Sequence, residues 1–167
     1  MPGIHHKTEM DGVRLGLTTA DEVALAYEDI AARLGPRAIV IGMAQAGIEL
    51  ALGLVHDRQF GPIMVLGAGG TLIEVLRDRR VAIPPLDELR AKQLVDRLKL
   101  RPLLAGHRRR PAADLDKLAA AIAGFSLLAA LLGDLIRELD VNPLIAGPGG
   151  AWAVDALVLP QAAPKEG

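Results

Sequence analysis

Short runs of apolar residues, several alternating with polar ones, recur along this chain and predict β-strands. Such runs occupy residues 13–17, 38–43, 48–55, 63–66 and 81–83. The middle three follow one another across short turns, which favours antiparallel pairing of neighbouring strands. The continuous apolar run at 38–43 is expected to be a central strand.

Apolar residues at helical spacing predict three helices, between Thr19 and Gly35, at 86–98 and at 112–132. Thr19 is expected to cap the first, with Glu22 as its reciprocal partner in a capping box. The apolar stripe of the third helix comprises Leu115, Leu118, Ala119, Ile122, Phe125 and Leu128 or Ala129. Strands and helices together predict an α+β fold, a mainly antiparallel sheet with helices packed on it.

Two further strands near the end of the chain, at 138–144 and 152–156, are joined by a glycine-rich turn. Glu138, Asp140 and Asn142 share one face of the first strand because side chains alternate along a strand. The turn is expected to bring Asp155 beside Asn142. Carboxylate and amide oxygens suit Mg²⁺, which also binds nucleotide phosphates. The same pattern also describes, and on its own favours, a hairpin with a solvated polar face.

Glu49 is an acidic residue inside an apolar strand run. It either faces outward or needs a partner or a water-filled cleft, because an unpaired buried charge is costly. The segment Gly67-Ala68-Gly69-Gly70 directly follows another strand run. It either presents backbone N–H groups to a phosphate or forms a plain tight turn. It matches neither the dinucleotide fingerprint nor the P-loop.

Charged stretches offer further candidates. The basic cluster around Arg108 either holds a phosphate or an acidic partner or is a solvated loop. The charge run Arg77–Arg80 is expected to be a solvated edge. The adjacent His5 and His6 are a loop ligand pair, a phosphoryl acceptor or solvated residues.

Composition narrows the class of protein. Aromatic residues make up 2% of the chain, so the core must be built from Leu, Ala, Val and Ile. The net charge of −1 gives no general attraction to nucleic acid or to an anionic membrane. No cysteine is present, which excludes disulfides, thiolate metal sites and a cysteine nucleophile. The apolar run at 119–132 is shorter than a membrane span, and no signal-peptide pattern precedes it, so a soluble cytoplasmic protein is expected.

Several motifs between His5 and Leu159 occur in an order and spacing typical of one family. They are His6-Lys7-Thr8 with Gly12-Val13, Gly47-Ile48-Glu49-Leu50, Asp57 with Gln59-Phe60-Gly61-Pro62, Gly69-Gly70 with Glu74-Val75-Leu76 and Asp78, Pro85-Leu86, Arg108 with Pro111, and Glu138-Leu139-Asp140-Val141-Asn142-Pro143-Leu144 with Asp155. Together they resemble the nucleotide-binding ATP-grasp domain of the ADP-forming acyl-CoA synthetases (acetate–CoA ligases), which are related to the succinyl-CoA synthetase β subunit.

The resemblance implies a fold and a reaction. Residues 1–160 would form part of an ATP-grasp domain, its larger subdomain. The tail at 161–167 is expected from its own sequence to be disordered. The reaction joins an acid to CoA while ATP becomes ADP and phosphate, through a phosphohistidine in the CoA-binding part of the enzyme. The implied cofactors are Mg²⁺ and ATP or ADP. The implied partner is a CoA-binding domain or subunit.

The resemblance also assigns roles to single residues. Asn142 and Asp155 would be Mg²⁺ ligands, with Asp140 next to them. The remaining assignments are His6 as a phosphate relay, Glu74 near the phosphohistidine path, and Glu49, Gly69, Gly70 and Arg108 as nucleotide-binding residues.

This chain departs from the family pattern at defined places. The family has a further segment before His6, with a strand lysine that contacts the nucleotide phosphates. It also has a glutamine and a glutamate where this chain has Ile41 and Gly42. Two other hypotheses therefore stand beside the ligase component: a diverged, non-catalytic ATP-grasp-like interaction or regulatory module, and a small α+β binding domain of unrelated function. The apolar helix at 112–132 also makes a homodimer an expectation, because a second copy would cover its exposed surface.

Overall fold

The computed structural model describes residues 11–70, 77–106 and 110–161 of the chain. Its internal contacts divide the chain into two units, Met1–Met43 and Ala44–Gly167. The expected disordered tail at 161–167 lies, except for its first residue, outside the described residues.

From residue 11 onwards, the first unit contains one helix, α1, which spans Ala20–Leu34. The expected capping box is present, since Thr19 Oγ1 accepts a hydrogen bond from Glu22 N and Glu22 Oε2 accepts one from Thr19 N. Two reciprocal hydrogen bonds thus satisfy backbone groups that a helix start leaves unpaired. No residue of α1 is fully buried, and its apolar stripe is at most partly covered.

The prediction of strands at 13–17 and 38–43 is wrong, because neither segment forms a strand. The apolar side chains of the second are largely in solvent, and Ile39 is 87% exposed. A strand exists only when a neighbouring strand accepts and donates its backbone hydrogen bonds. The described residues offer none to this segment, so the apolar pattern alone is insufficient.

The second unit contains one six-stranded sheet, and all its described pairings are antiparallel. Its strands are β1 Ile48–Asp57, β2 Gly61–Ala68, β3 Arg79–Ala82, β4 Ile136–Gly147, β5 Gly150–Ala153 and β6 Ala156–Pro160. The strand order is β3-β2-β1-β4-β5, and β6 pairs with β4. The predicted antiparallel sheet is therefore confirmed.

In the described part of the second unit, three helices accompany the sheet: α2 Glu88–Asp96, α3 Arg101–Leu104 and α4 Leu115–Leu132. Two begin later than predicted because a carboxylate caps them. Asp87 accepts a hydrogen bond from Arg90 N at 2.7 Å, and Asp114 accepts one from Lys117 N at 3.0 Å. Such caps fix where a helix begins.

The core lies between one face of the sheet and α4. Leu50, Leu52 and Leu54 of β1 are buried and belong to one cluster with Leu118 and Ile122 of α4. Within the described residues, α4 is long and apolar enough to cross a membrane by length and composition alone. Its buried stripe nevertheless packs on the sheet, as the stripe of a core helix does.

Ser126 is a fully buried hydroxyl on α4, and replacing it with alanine is expected to lower the free energy of unfolding by about 1–3 kcal/mol. Its Oγ accepts a hydrogen bond from Leu86 N at 2.7 Å. Alanine would leave this backbone N–H unpaired in a partly buried position. Urea unfolding of Ser126→Ala beside the wild type measures the difference, and equal midpoints would contradict the expectation.

Candidate functional site

The candidate site occupies the face of the sheet opposite the core. On β1 the buried leucines alternate with the more exposed Glu49, Ala51, Gly53 and Val55. Cross-strand pairing sets Gly53 opposite Asp140 and Val55 opposite Glu138 of β4. The polar residues of the last hairpin thus lie on the same open face as Glu49.

A bulge in β4 determines where Asn142 lies. Leu52 pairs with Val141, whereas Leu50 pairs with Leu144, so Ala51 of β1 faces two residues of β4. These two residues are Asn142 and Pro143, joined by a cis peptide bond. Bulges change the direction of a strand and frequently occur beside functional sites.

Asn142 and Asp155 are neighbours, as the sequence predicted. Asn142 N donates a hydrogen bond to Asp155 O at 3.2 Å, and Val154 N donates one to Pro143 O at 3.0 Å. These bonds join β4 to the short link between β5 and β6. Asp155 Oδ1 accepts a hydrogen bond from Ala156 N at 2.9 Å, which orients an otherwise exposed carboxylate.

Two neighbouring carboxylates act on Asp140 at this end of the site. Partial burial raises the pKa of Asp140, and the negative charges of Glu138 and Asp155 raise it further. A cation placed here would relieve this repulsion. Oxygen ligands from an aspartate and an asparagine are a donor set that fits Mg²⁺.

The described residues contain no group of three or more histidine, cysteine, aspartate or glutamate side chains arranged to hold a metal ion. Mg²⁺ usually takes one or two protein carboxylates and completes its coordination with water and substrate phosphates. Asn142 and Asp155 therefore fit a cation that arrives together with a phosphate-bearing ligand. They do not fit a metal site made by protein side chains alone.

Replacing Asp140 with asparagine is expected to stabilise the metal-free protein near neutral pH. Because folding raises the pKa of Asp140, the folded protein keeps this proton to a higher pH than the unfolded chain. The carboxylate therefore lowers the stability as the pH rises from its ordinary value of 3.8 through the raised value, and this loss persists above it. Asp140→Asn should lack this part of the pH profile.

Thermal unfolding of Asp140→Asn and of the wild type across the acidic and neutral range measures this effect. The difference between the two melting temperatures should grow as the pH rises. Parallel pH profiles would show that Asp140 does not feel the neighbouring carboxylates.

Glu49, Gly69 and Gly70 meet at the other end of the site. Gly69 N donates a hydrogen bond to Glu49 O at 2.9 Å. A Cβ atom at Gly69 would lie 2.5 Å from Leu50 O, and one at Gly70 would clash with the Glu49 carboxylate. Gly70 also has φ +55°, a conformation that favours glycine. Glycine is therefore required for this close approach.

Glu49 faces outward, which was one of the two interpretations of its sequence context. Ala51, the position opposite Asn142, follows Glu49 by two residues on β1. At about 3.3 Å per residue this separates the glycine end from the Asn142 end by roughly 7 Å along the strand. One extended ligand on the open face would reach both ends.

Three sequence-predicted residues, His6, Glu74 and Arg108, lie outside the described residues, and their roles remain predictions. One residue contradicts its prediction. Asp78 was expected on a solvated edge but is 3% exposed. The only sequence signal for its burial was its place among the motifs of the family.

Comparisons with known proteins agree with this fold. A family model described as an ATP-grasp domain matches residues 1–159. The β subunit of acetate–CoA ligase (ADP-forming) I from Pyrococcus furiosus is 32% identical over 166 residues, which cover 95% of this chain and 71% of that subunit. The trans-feruloyl-CoA synthase of an unknown prokaryotic organism is 35% identical over 164 residues, which cover 92% of this chain and 23% of that protein.

Solved structures include acetyl-coenzyme A synthetase 1 of Ca. Korarchaeum cryptofilum, in complex with coenzyme A and Mg-AMPPCP. It superposes with a TM-score of 0.85 at 33% identity, over 96% of this chain and 73% of that chain. In that complex the phosphohistidine segment points towards the nucleotide-binding site. A match over nearly the whole sequence, together with the shared fold, shows that the chain belongs to the ATP-grasp domain family found in ADP-forming acetate–CoA ligases.

Proposed function

We propose that this chain is the nucleotide-binding component of an ADP-forming acid–CoA ligase. It would couple phosphoryl transfer between ATP and ADP to the formation of an acyl-CoA through a phosphohistidine. The observation that carries the proposal is the arrangement on the open sheet face. There Asn142 and Asp155 are neighbours, and they lie about two strand residues from the contact between Glu49 and Gly70. The Mg-AMPPCP bound by a related synthetase supports the same ligand class.

Each described residue has a distinct part in this proposal. Mg²⁺ would supply charge neutralisation on the transferred phosphoryl group, which is the main requirement of this chemistry. Asn142 and Asp155 would hold the ion beside the phosphates, and Asp140 would add negative charge behind it. The backbone N–H of Gly70 would contact a phosphate oxygen, while the N–H of Gly69, which donates to Glu49 O, holds this segment against β1. Glu49, an acceptor only, would bind a hydroxyl or amino group of the nucleotide.

The proposal includes a partner that carries CoA and the phosphohistidine. His6 and Glu74 would take part in the relay of the phosphoryl group, and Arg108 would bind the nucleotide, as the family resemblance implies. The β-subunit relative belongs to a ligase with more than one kind of subunit, which supports a separate CoA-binding chain.

A second copy of the chain is a further proposed partner. Leu127, Leu131 and Leu135, at the end of α4 and in the turn after it, are 53%, 72% and 67% exposed. Apolar surface of this kind is typical of a contact with another protein. Light scattering over a range of protein concentrations would detect a dimer.

Isothermal calorimetry with Mg-ADP, and with ADP in EDTA, tests the central claim. The chain should be titrated alone and after mixing with a CoA-binding subunit of a related ligase. Saturable heat that requires Mg²⁺ is the expected result in at least the mixture. The absence of heat and of any thermal shift in both samples at millimolar nucleotide would contradict nucleotide binding.

One observation favours the second candidate function, a non-catalytic interaction module. Ile41 and Gly42 stand where the family has a glutamine and a glutamate, and both are exposed in an unpaired segment. A module of this kind would bind the CoA-binding subunit without binding nucleotide. The same titration separates the two functions, because the complex would then form without any nucleotide heat.

A further inference from the structure

Among the described residues Asp78 is the only charged side chain that is buried, and its carboxylate is completely shielded from solvent. A buried carboxylate is costly unless fixed partners compensate it. Its Oδ2 accepts a hydrogen bond from Leu100 N at 2.9 Å. Its Oδ1 lies 3.4 Å from Arg80 Nη1 and accepts no hydrogen bond within the described residues. The proposed function leaves this group without a role.

The backbone of Asp78 lies directly against the strand that leads into the glycine end of the site. Ala68 N donates a hydrogen bond to Asp78 O at 3.0 Å, and the next residue, Gly69, donates to Glu49 O at 2.9 Å. A Cβ atom at Gly67 would lie 2.9 Å from Asp78 O, so glycine is needed there for the two chains to approach. Asp78 and Glu49 therefore hold Ala68 and Gly69 from two sides.

The side chain of Asp78 ties this arrangement to the helical layer. The carboxylate accepts a hydrogen bond from the N–H of Leu100, which immediately precedes α3. Arg80, which faces its second oxygen, also donates a hydrogen bond to Arg97 O beyond the end of α2. Helices packed on the core thus fix Asp78, and Asp78 fixes the end of β2.

We propose that Asp78 is a positioning residue for the backbone of Gly69 and Gly70, and through it for the polyphosphate of a bound nucleotide. The part of this inference that concerns the nucleotide rests on the proposed function. Backbone N–H groups bind phosphate well only when they are held in place before the ligand arrives. Removing the charge of Asp78 should therefore weaken the binding of phosphate and not only lower the stability of the protein.

Asp78→Asn is the sharpest test because it keeps the size of the side chain. The amide oxygen can still accept from Leu100 N, but the amide NH₂ then faces the Arg80 guanidinium, donor against donor. Ser126→Ala is the matched control, since Ser126 is the other buried polar side chain among the described residues and accepts from Leu86 N, elsewhere in the fold. If Asp78→Asn does not fold, Arg80→Gln breaks the same pair from its partly exposed side.

Two measurements on the full chain are needed. Urea unfolding of each variant shows how far its stability differs from that of the wild type, so that the variants can be compared at similar stability. Amide hydrogen exchange at Ala68 and Gly69 should become about tenfold faster in Asp78→Asn, while the amides of β1 and β4 change only as much as in Ser126→Ala. The dissociation constant for Mg-ADP, under the conditions where the wild type binds it, should rise about tenfold in Asp78→Asn and stay within about twofold in Ser126→Ala.

The outcomes separate the inference from the proposed function. Exchange that accelerates evenly over the sheet would reduce Asp78 to a stabilising residue and overturn the inference. Unchanged Mg-ADP affinity, with faster exchange at Ala68, would overturn its link to phosphate. A wild type that binds no nucleotide in any mixture would contradict the proposed function and the role of Asp78 in nucleotide binding. The comparison of hydrogen exchange would still decide whether Asp78 positions the backbone of Gly69 and Gly70.

Discussion

Alanine at both Asn142 and Asp155 is expected to abolish the Mg²⁺ dependence of nucleotide binding. Among the described residues, these two side chains carry the oxygen atoms that best suit Mg²⁺. Their backbones are joined by a hydrogen bond from Asn142 N to Asp155 O at 3.2 Å. Changing only an outer partner of a metal ligand typically costs about 10- to 100-fold in metal affinity, so losing two ligands should cost at least the upper end of that range. Calorimetric titration of ADP with and without Mg²⁺ measures the loss.

The control for this double variant is Asp134→Ala, which removes an exposed acid just before β4. It changes the charge of the chain without touching the Asn142–Asp155 pair. The control should bind Mg-ADP as the wild type does, and both proteins should unfold at similar urea concentrations. A double variant whose binding still depends on Mg²⁺ would refute the metal assignment.

The neighbourhood of Asn142 and Asp155 was predictable because it depends on local rules. Period-two alternation sets the face of each side chain, and a glycine turn between Gly147 and Gly150 returns the chain onto itself. The bulge at Asn142 and Pro143 was not predictable in the same way. It is defined by how β4 pairs with β1, which is nearly a hundred residues earlier in the chain.

The errors of prediction have the same non-local origin. The run at 38–43 has the apolar pattern of a central strand, but pairing depends on a neighbour that the run itself does not encode. Asp78 lies in a run of arginines that indicates a solvated edge. It is buried because Leu100 N, 22 residues later in sequence, donates a hydrogen bond to its carboxylate.

Burial of a charge is thus a property of the assembled fold, whereas a capping box is a property of four consecutive residues. Thr19 and Glu22 show the second case, since both of their predicted hydrogen bonds are present. The contacts of Glu49 show the first case. The sequence left open whether it faces outward or needs a partner, and only the pairing of β1 with β2 brings Gly70 against it.

Gly69→Ala is expected to lower the free energy of unfolding by about 1–3 kcal/mol, the usual cost of overpacking. The new Cβ atom would lie 2.5 Å from Leu50 O and 2.6 Å from Leu50 C. These are backbone atoms that cannot rotate away, so Gly69 must move and weaken its hydrogen bond to Glu49 O. The same movement should reduce the affinity for Mg-ADP, because it displaces the backbone proposed to contact the phosphates.

Gly124→Ala is the matched control because it makes the same change where there is room. No atom lies within 4 Å of a Cβ at Gly124, which is inside α4. Alanine there should raise the free energy of unfolding by about 0.5–1 kcal/mol, since glycine is a poor helix former. Urea unfolding should therefore move the two midpoints in opposite directions. A Gly69→Ala protein as stable as the wild type would mean that the glycine end of the site is not closely packed against β1.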